Sequence, residues 1–455
     1  MRVVLADLKS RDGLVVKDTV AGGYGLRFRP FSKVTHLVHR LKGHYHALPS
    51  SQLAYAAAIL AQAGHEVVAT DGELADGDIA IVLSSLVDHR RETRWAGAMR
   101  DRGVRTGFLG LAASKMPQLF EGHADFVIQG EAESAIRRLA SGEPLAGRCV
   151  SEPTDDLDSL PHPRWDLLLG SAAGRQPRLP VFASRGCPEH CTYCPHRILA
   201  THRMRSVGNV VRELDYLAST YNNPHIVFRD PLFTAQRART LEFCATLRRR
   251  ALKLSFECET RLDDLDEELL DQLHEVGLRA VSFGVESADV GVLRRSGRRP
   301  IPRAHQLAMV AHCRALHVDT IAFYVLGLPA DTWQSVAATI DLSICLGTSV
   351  ASYKICTPYP GTPLWTQMAP VVFDTDWENF DGFTPTFHHP NLTPEELRFL
   401  LGAAYSRFYV RPSFLLNLLH VRDERVHRLA ERLDASVSHT LARQEIARMS
   451  RPVTC

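Results

Sequence analysis

A chain of 455 residues is too long for one ordinary domain, and 45% hydrophobic with 23% charged residues supplies material for more than one core. A formal net charge of +2 gives no electrostatic ground for expecting nucleic acid or an anionic membrane as partner. The opening MRVVLADLKSRDG breaks too early for a signal peptide, and no apolar run approaches the roughly 20 residues of a membrane span, so a reducing cytoplasm is the expected setting.

The elements follow in chain order. VVLA (3–6) reads as a buried strand, and SSQLAYAAAILAQAG (50–64) as a helix with a Ser cap and a closing glycine. HEVVAT (65–70), IAIVLSS (79–85), RTGFLGL (105–111) and ADFVIQG (124–130) are strand-like runs, separated by helical segments at 90–103 and 131–142. This alternation predicts a parallel, doubly wound, Rossmann-like sheet over 1–148, with its ligand crevice beyond the strands' C-terminal ends. Acids and three prolines in EPTDDLDSLPHPRWD (152–166) break the rhythm, which places a linker at 149–178.

From LPVFAS (179–184) the alternation restarts through IVFRD (226–230), LSFEC (254–258), RAVSFG (279–284), TIAFYVLG (320–327) and ASYKICTPYPG (351–361), with helical segments at 237–251, 264–277 and 302–317. About six strand–helix units predict a partial (β/α)6 TIM-like barrel over 179–365, with chemistry at the strands' C-terminal ends. A mainly helical region is expected over 366–455, including LTPEELRFLLGAAYSRFYV (392–410), where Thr393, Pro394 and Glu396 write a capped start. The fold class is therefore α/β, in two domains with a helical C-terminal region.

The sharpest signal is SRGCPEHCTYCPHRI (184–198), which puts Cys187, Cys191 and Cys194 within eight residues just past the first barrel strand. Three thiolates spaced C-x3-C-x2-C can hold three irons of a [4Fe–4S] cubane and leave the fourth open to a substrate. Zinc is the alternative, with His190 or His196 as a fourth ligand, although structural zinc usually takes two separated pairs. Iron and sulfide against one zinc would separate an enzyme from a zinc-binding interaction protein.

With Tyr193 as the aromatic of C-x3-C-x-(aromatic)-C, the chain resembles the radical S-adenosylmethionine (SAM) enzymes, in the class with an N-terminal cobalamin-binding-type domain. Other landmarks fall in the family's order: IQGEAES (128–134), FRDPLFT (228–234), ECETR (257–261), GVES (284–287), LGLP (326–329) and TPYPGTPL (357–364). The resemblance implies that Cys187, Cys191 and Cys194 bind the cluster, that SAM chelates the open iron, and that one electron cleaves a carbon–sulfur bond of the sulfonium. It also implies an external electron donor such as flavodoxin or ferredoxin and a small-molecule substrate. Tyr193 would lie near the adenine, Asp230, Arg261 and Glu286 would serve SAM's amino, carboxylate and ribose groups, and Tyr359 would wall the adenine. Arg261 is apt because a guanidinium can grip a carboxylate with two hydrogen bonds.

The pattern breaks in the first domain. Relatives often carry D-x-H-x-x-G after the first strand, its His replacing cobalt's lower ligand, but here Asp7 is followed by Lys9 and a late Gly13. A protonated lysine is a poor ligand, so cobalamin binds without a lower protein ligand or the domain has lost it. The following VVKDTVAGGYGLRFRP (15–30), with Gly22, Gly23, Gly25, Lys17, Arg27 and Arg29, could touch a corrin, an anionic substrate or the neighbouring domain.

Three reactions stay open: methyl transfer, 3-amino-3-carboxypropyl transfer, and radical rearrangement of a small metabolite. Cys356 at a strand end and Cys455 at the terminus are the candidate catalytic thiols, apt for a soft acceptor such as arsenite in arsinothricin-type chemistry. Cys244, Cys258, Cys313 and Cys345 read as buried small residues. A tRNA methylthiotransferase fits poorly, because no cysteine precedes Cys149 to hold a second cluster.

Overall fold

The computed structural model describes residues 1–9, 15–17, 23–29, 48–169, 177–412 and 414, and of Leu199 the backbone alone. The first sheet begins with β1 (Arg2–Ala6). A short hairpin, β2 (Val15–Val16) with β3 (Leu26–Arg27), stands apart from it. β4 (Glu66–Thr70), β5 (Ile79–Leu83), β6 (Arg105–Leu109), β7 (Phe126–Gly130) and β8 (Gly147–Ser151) complete a six-stranded parallel sheet in the order β4-β1-β5-β6-β7-β8. Because successive side chains point to opposite faces, Val3 and Leu5 pack with helices Ser51–Gln62 and Ala132–Ala140, while Val4 and Ala6 pack with helix His89–Asp101. Covering both faces requires continuous apolar runs, which is why IAIVL is buried throughout. The sixth strand, β8, straddles the boundary expected at 148. Its alternating exposure marks an edge strand, a weaker signal than the buried runs.

The second sheet joins β9 (Arg178–Val181), β12 (His225–Phe228), β13 (Ser255–Thr260), β14 (Leu278–Glu286), β15 (Asp319–Leu326) and β16 (Val350–Ile355), all parallel, in the order β16-β15-β14-β13-β12-β9. The two-residue pair β10 (Ser184–Arg185) and β11 (Arg203–Met204) brackets the cysteine loop. One parity of each strand faces outward into a core with the surrounding helices: Ile226 and Phe228, Phe256 and Cys258, Phe283 and Val285, Tyr324 and Leu326, Tyr353 and Ile355. The other parity turns His225, Glu257, Glu259, Ser282, Phe323, Val325, Ser352 and Lys354 into the lumen.

Helix Pro394–Tyr409 closes the outer layer against β16, its capping box formed as the sequence indicates: Glu396 N donates to Thr393 Oγ1 at 3.2 Å and Thr393 N to Glu396 Oε2 at 2.7 Å. No helix among the described residues is long and apolar enough to cross a membrane.

Candidate active site at the mouth of the barrel

Cys187, Cys191 and Cys194 lie on the loop between β10 and β11. Gly186 turns the chain into this loop at φ +69°, and a Cβ there would meet Ala200 O at 2.4 Å, so a side chain cannot be accommodated without moving backbone. Just before it, Arg185 is clamped to the first domain: Nη1 donates to Glu131 Oε2 at 2.8 Å, Nη2 to Glu133 Oε1 at 2.6 Å, and the guanidinium stacks over Tyr55 at 5.0 Å. The far side is stitched by Thr192 N to Ser296 O at 2.9 Å and Leu364 N to Thr192 O at 3.0 Å. Arg298 Nη1 points at Cys191 Sγ, 3.7 Å away.

Burial dominates the electrostatics of two of these thiols, Cys187 and Cys194. It pushes Cys187 up to about 11, with Cys191, Glu189 and Glu259 adding to the rise, and raises Cys194 further. Thiols held neutral by burial are what a cationic metal converts to thiolates, so the loop suits an iron cluster. Among the described residues no group of three or more His, Cys, Asp or Glu could hold one metal ion, a requirement that three thiols serving three separate irons need not meet.

Four more groups gather at the same end of the lumen. Glu286 ends β14 with φ +65°, beyond a register shift against β15, a strained conformation that turns its carboxylate inward. There it lies 3.7 Å from Arg298 and beside the buried Tyr193 hydroxyl, which stops short of a proper hydrogen bond. Burial raises its pKa and Arg298 partly offsets the rise. Arg261 is buried at the end of β13, but its two-pronged edge is already taken by Asp263, at 2.9 Å from both Nε and Nη2. The remaining nitrogen, Nη1, makes no hydrogen bond and is the one left for a ligand, with Glu189 Oε2 at 3.8 Å.

Other expected site residues sit differently. Both Asp230 oxygens are engaged, by Ala183 N at 3.0 Å and Ser184 Oγ at 2.5 Å, so Asp230 ties the end of β12 to the entry of the cysteine loop. Tyr359 stacks on Tyr24 of the first domain, with ring centroids 5.3 Å apart and planes 8° from parallel, which makes it a domain contact rather than an open wall. Cys356 is buried among Val292, Leu328, Leu364, Met368 and Phe387, its thiol pushed up by burial, in an apolar cluster that Tyr193 and Val325 also pack against. Cys455 and Gly13 lie outside the described residues, as do Gly22 and the chain beyond 414. Cys244, Cys258 and Cys313 are core residues as expected, whereas Cys345 is exposed.

Sequence reasoning missed Arg298, Arg185 and Glu259. Glu259 does stand in a quoted stretch, and strand parity could have found it: two residues before Arg261, it faces the lumen with a carboxylate that makes no hydrogen bond among the described residues. Burial pushes it up to about 7, opposed by Arg229 and reinforced by Glu286.

Residues 181–343 match the Radical SAM superfamily. That match assigns residues 181–343 to the radical SAM superfamily. The radical SAM domain makes the chain an enzyme and implies a [4Fe–4S] cluster and SAM, which the three free thiols and the Arg261 nitrogen that makes no hydrogen bond fit. The chain is 28% identical, over 316 residues, to an uncharacterized methyltransferase of Pyrococcus horikoshii, the match covering 64% of this chain and 69% of that one. Two solved structures share the fold at 14% identity. They are the radical SAM methyltransferase TsrM from Kitasatospora setae with cobalamin and a [4Fe–4S] cluster bound (TM-score 0.63, 89% of this chain and 88% of that one), and the cobalamin-dependent radical SAM enzyme OxsB (TM-score 0.67, 96% and 71%). The fold shared with them is an N-terminal parallel α/β domain followed by a partial barrel.

Proposed function

We propose that this chain is a cytoplasmic transferase that moves a SAM-derived group, methyl or 3-amino-3-carboxypropyl, to a small polar substrate, with its electron supplied by a flavodoxin or ferredoxin. The observation that carries the reading is the convergence of Cys187, Cys191 and Cys194 with Arg261 Nη1 and the strained Glu286 at one end of the lumen. In it the three thiols hold the cluster, Arg261 Nη1 meets SAM's carboxylate, Glu286 a hydroxyl of its ribose, and Tyr193 the adenine side. When bound, cluster and SAM together supply the electron and the activated group. The chain's own residues orient SAM, and burial at this end keeps water away.

The lumen supports the choice of substrate class. Glu259, Arg229, Ser352 and Lys354 give it charge of both signs, which suits a hydrophilic, zwitterionic molecule better than a hydrocarbon. A soft acceptor held by Cys356 finds no support in a thiol enclosed by apolar side chains. Rearrangement without transfer stays as the second reading, because the same groups orient SAM in either case.

The test is anaerobic reconstitution with iron and sulfide, followed by reduction with SAM present. About four irons per chain, lost when the three cysteines become Ala, support the cluster assignment. The fragment of SAM then names the reaction: S-adenosylhomocysteine for methyl transfer, 5′-methylthioadenosine for carboxypropyl transfer, 5′-deoxyadenosine alone for hydrogen abstraction. Retained turnover in the triple variant sinks the proposal.

A further inference from the structure

In a sheet ordered β4-β1-β5, the strand order reverses between β1 and β5, and a ligand is taken beyond the carboxyl ends of those two strands. For a fold shared with cobalamin enzymes, that ligand would be a corrin. The residues at this place do not fit one.

The space is filled by the chain's own residues 23–29. Leu86 N donates to Tyr24 O at 2.9 Å, Arg27 Nε to Val87 O at 3.0 Å, and Arg27 Nη2 pairs with Asp88 at 2.9 Å. Gly25, at φ +84°, lies so close to the end of β5 that a Cβ would meet Val87 Cγ2 at 2.9 Å and Ser85 Cβ at 3.1 Å. No layer is left between segment and strand for a planar macrocycle. From the opposite side, the Tyr24 ring is wholly buried against Tyr359, and its hydroxyl donates to Pro360 O at 2.5 Å. Phe28 meets Phe383 edge-on at 5.1 Å, and Arg29 reaches Asn379 at 2.8 Å and Asp381 at 3.1 Å.

The chemistry is equally unsuited. Beside the segment, Lys17 is buried in an ion pair with Glu92 at 2.7 Å and offers no neutral nitrogen, and Glu92 in turn accepts from Ser85 N at 2.9 Å and Ser85 Oγ at 2.6 Å. Lys9, at the position where relatives carry His, is exposed, while its neighbour Leu8 is buried in the apolar cluster that contains Tyr24.

We infer that residues 23–29 stand in the corrin's place: the N-terminal domain binds no cobalamin and is instead a fixed wall of the barrel mouth, stapled to it by Tyr24 on Tyr359. Admitting a corrin there would require displacing residues 23–29, and with them that stack and the Arg27 and Arg29 ion pairs.

The native full-length chain tests this without any variant. It is reconstituted anaerobically with iron, sulfide and hydroxocobalamin and desalted, and iron, sulfide and corrin absorbance are read on one sample. The expected result is a retained cluster with corrin at the background of a protein that has no corrin site. Stoichiometric corrin beside a full cluster overturns the inference and leaves the proposed function standing, so the two fail separately. A double-mutant cycle of Tyr24→Ala and Tyr359→Ala, read by thermal unfolding, tests the staple. Strongly non-additive shifts are expected, and simple addition overturns it.

Discussion

Arg298 Nη1 lies 3.7 Å from Cys191 Sγ, close enough for an N–H···S hydrogen bond to a predicted cluster ligand, and the same guanidinium faces Glu286. A donor and a positive charge beside a ligating sulfur stabilise the more negative, reduced cluster. Arg298→Met should therefore bind iron normally but show a lower reduction potential by electron paramagnetic resonance titration, with slower SAM cleavage. Arg298→Lys should lie between. An unchanged potential in the Met variant would show that the contact is only structural.

Glu259 carries a proton up to about pH 7 because burial disfavours its charged form. The folded, metal-free protein thus holds more protons than the unfolded chain between the ordinary carboxylate range and pH 7. Stability from this residue is complete at low pH and falls as pH rises through 7. Glu259→Gln should flatten that fall and stabilise the metal-free protein at pH 8, measured by denaturant unfolding across pH. A variant with the native pH profile would assign the slope elsewhere.

The clamp of Arg185 on Glu131 and Glu133 joins the domains next to the cysteine loop. Arg185→Met strands the buried Glu133 carboxylate, while Glu131 keeps its pairing with Arg203, and a loss of about 3–5 kcal/mol is expected in equilibrium unfolding. Iron binding should weaken too, since the entry to the loop loses its anchor. If stability drops while iron content and the cluster's spectrum stay native, the clamp holds the domains together without positioning the loop.

Cys356→Ala should cost about 1 kcal/mol for a small void among Val292, Leu328 and Met368, yet leave turnover per cluster unchanged. Product formation under anaerobic conditions decides it. A collapse of turnover in a folded, iron-loaded variant would restore the thiol to the chemistry.

The strands and the cysteine loop were legible because their signals are local: apolar runs with period two, and three cysteines within eight residues. The capped helix at 394–409 was legible for the same reason. What escaped depends on contacts across long separations. Tyr24 and Tyr359 are 335 positions apart, and nothing near either announces the other. Arg298 sits in a turn, SGRRP, that reads as an ordinary basic loop until β14 carries it over Cys191. Asp230 was found by position but its partners were not, since hydrogen bonding to Ala183 and Ser184 is set by the β9–β12 pairing.

Among the described residues β9 and β16 do not pair, so the barrel is a sheet with a seam. The first domain touches both sides of that seam, through Glu131 and Glu133 after β9 and through Tyr24 and Phe28 after β16. It acts as a keystone: the width of the catalytic chamber is fixed by a domain that supplies none of the thiols. Substitutions far from the chemistry, at the aromatic staple or the acidic clamp, would then reshape which molecules enter, and grafting a relative's first domain onto this barrel would change selectivity before it changed the reaction.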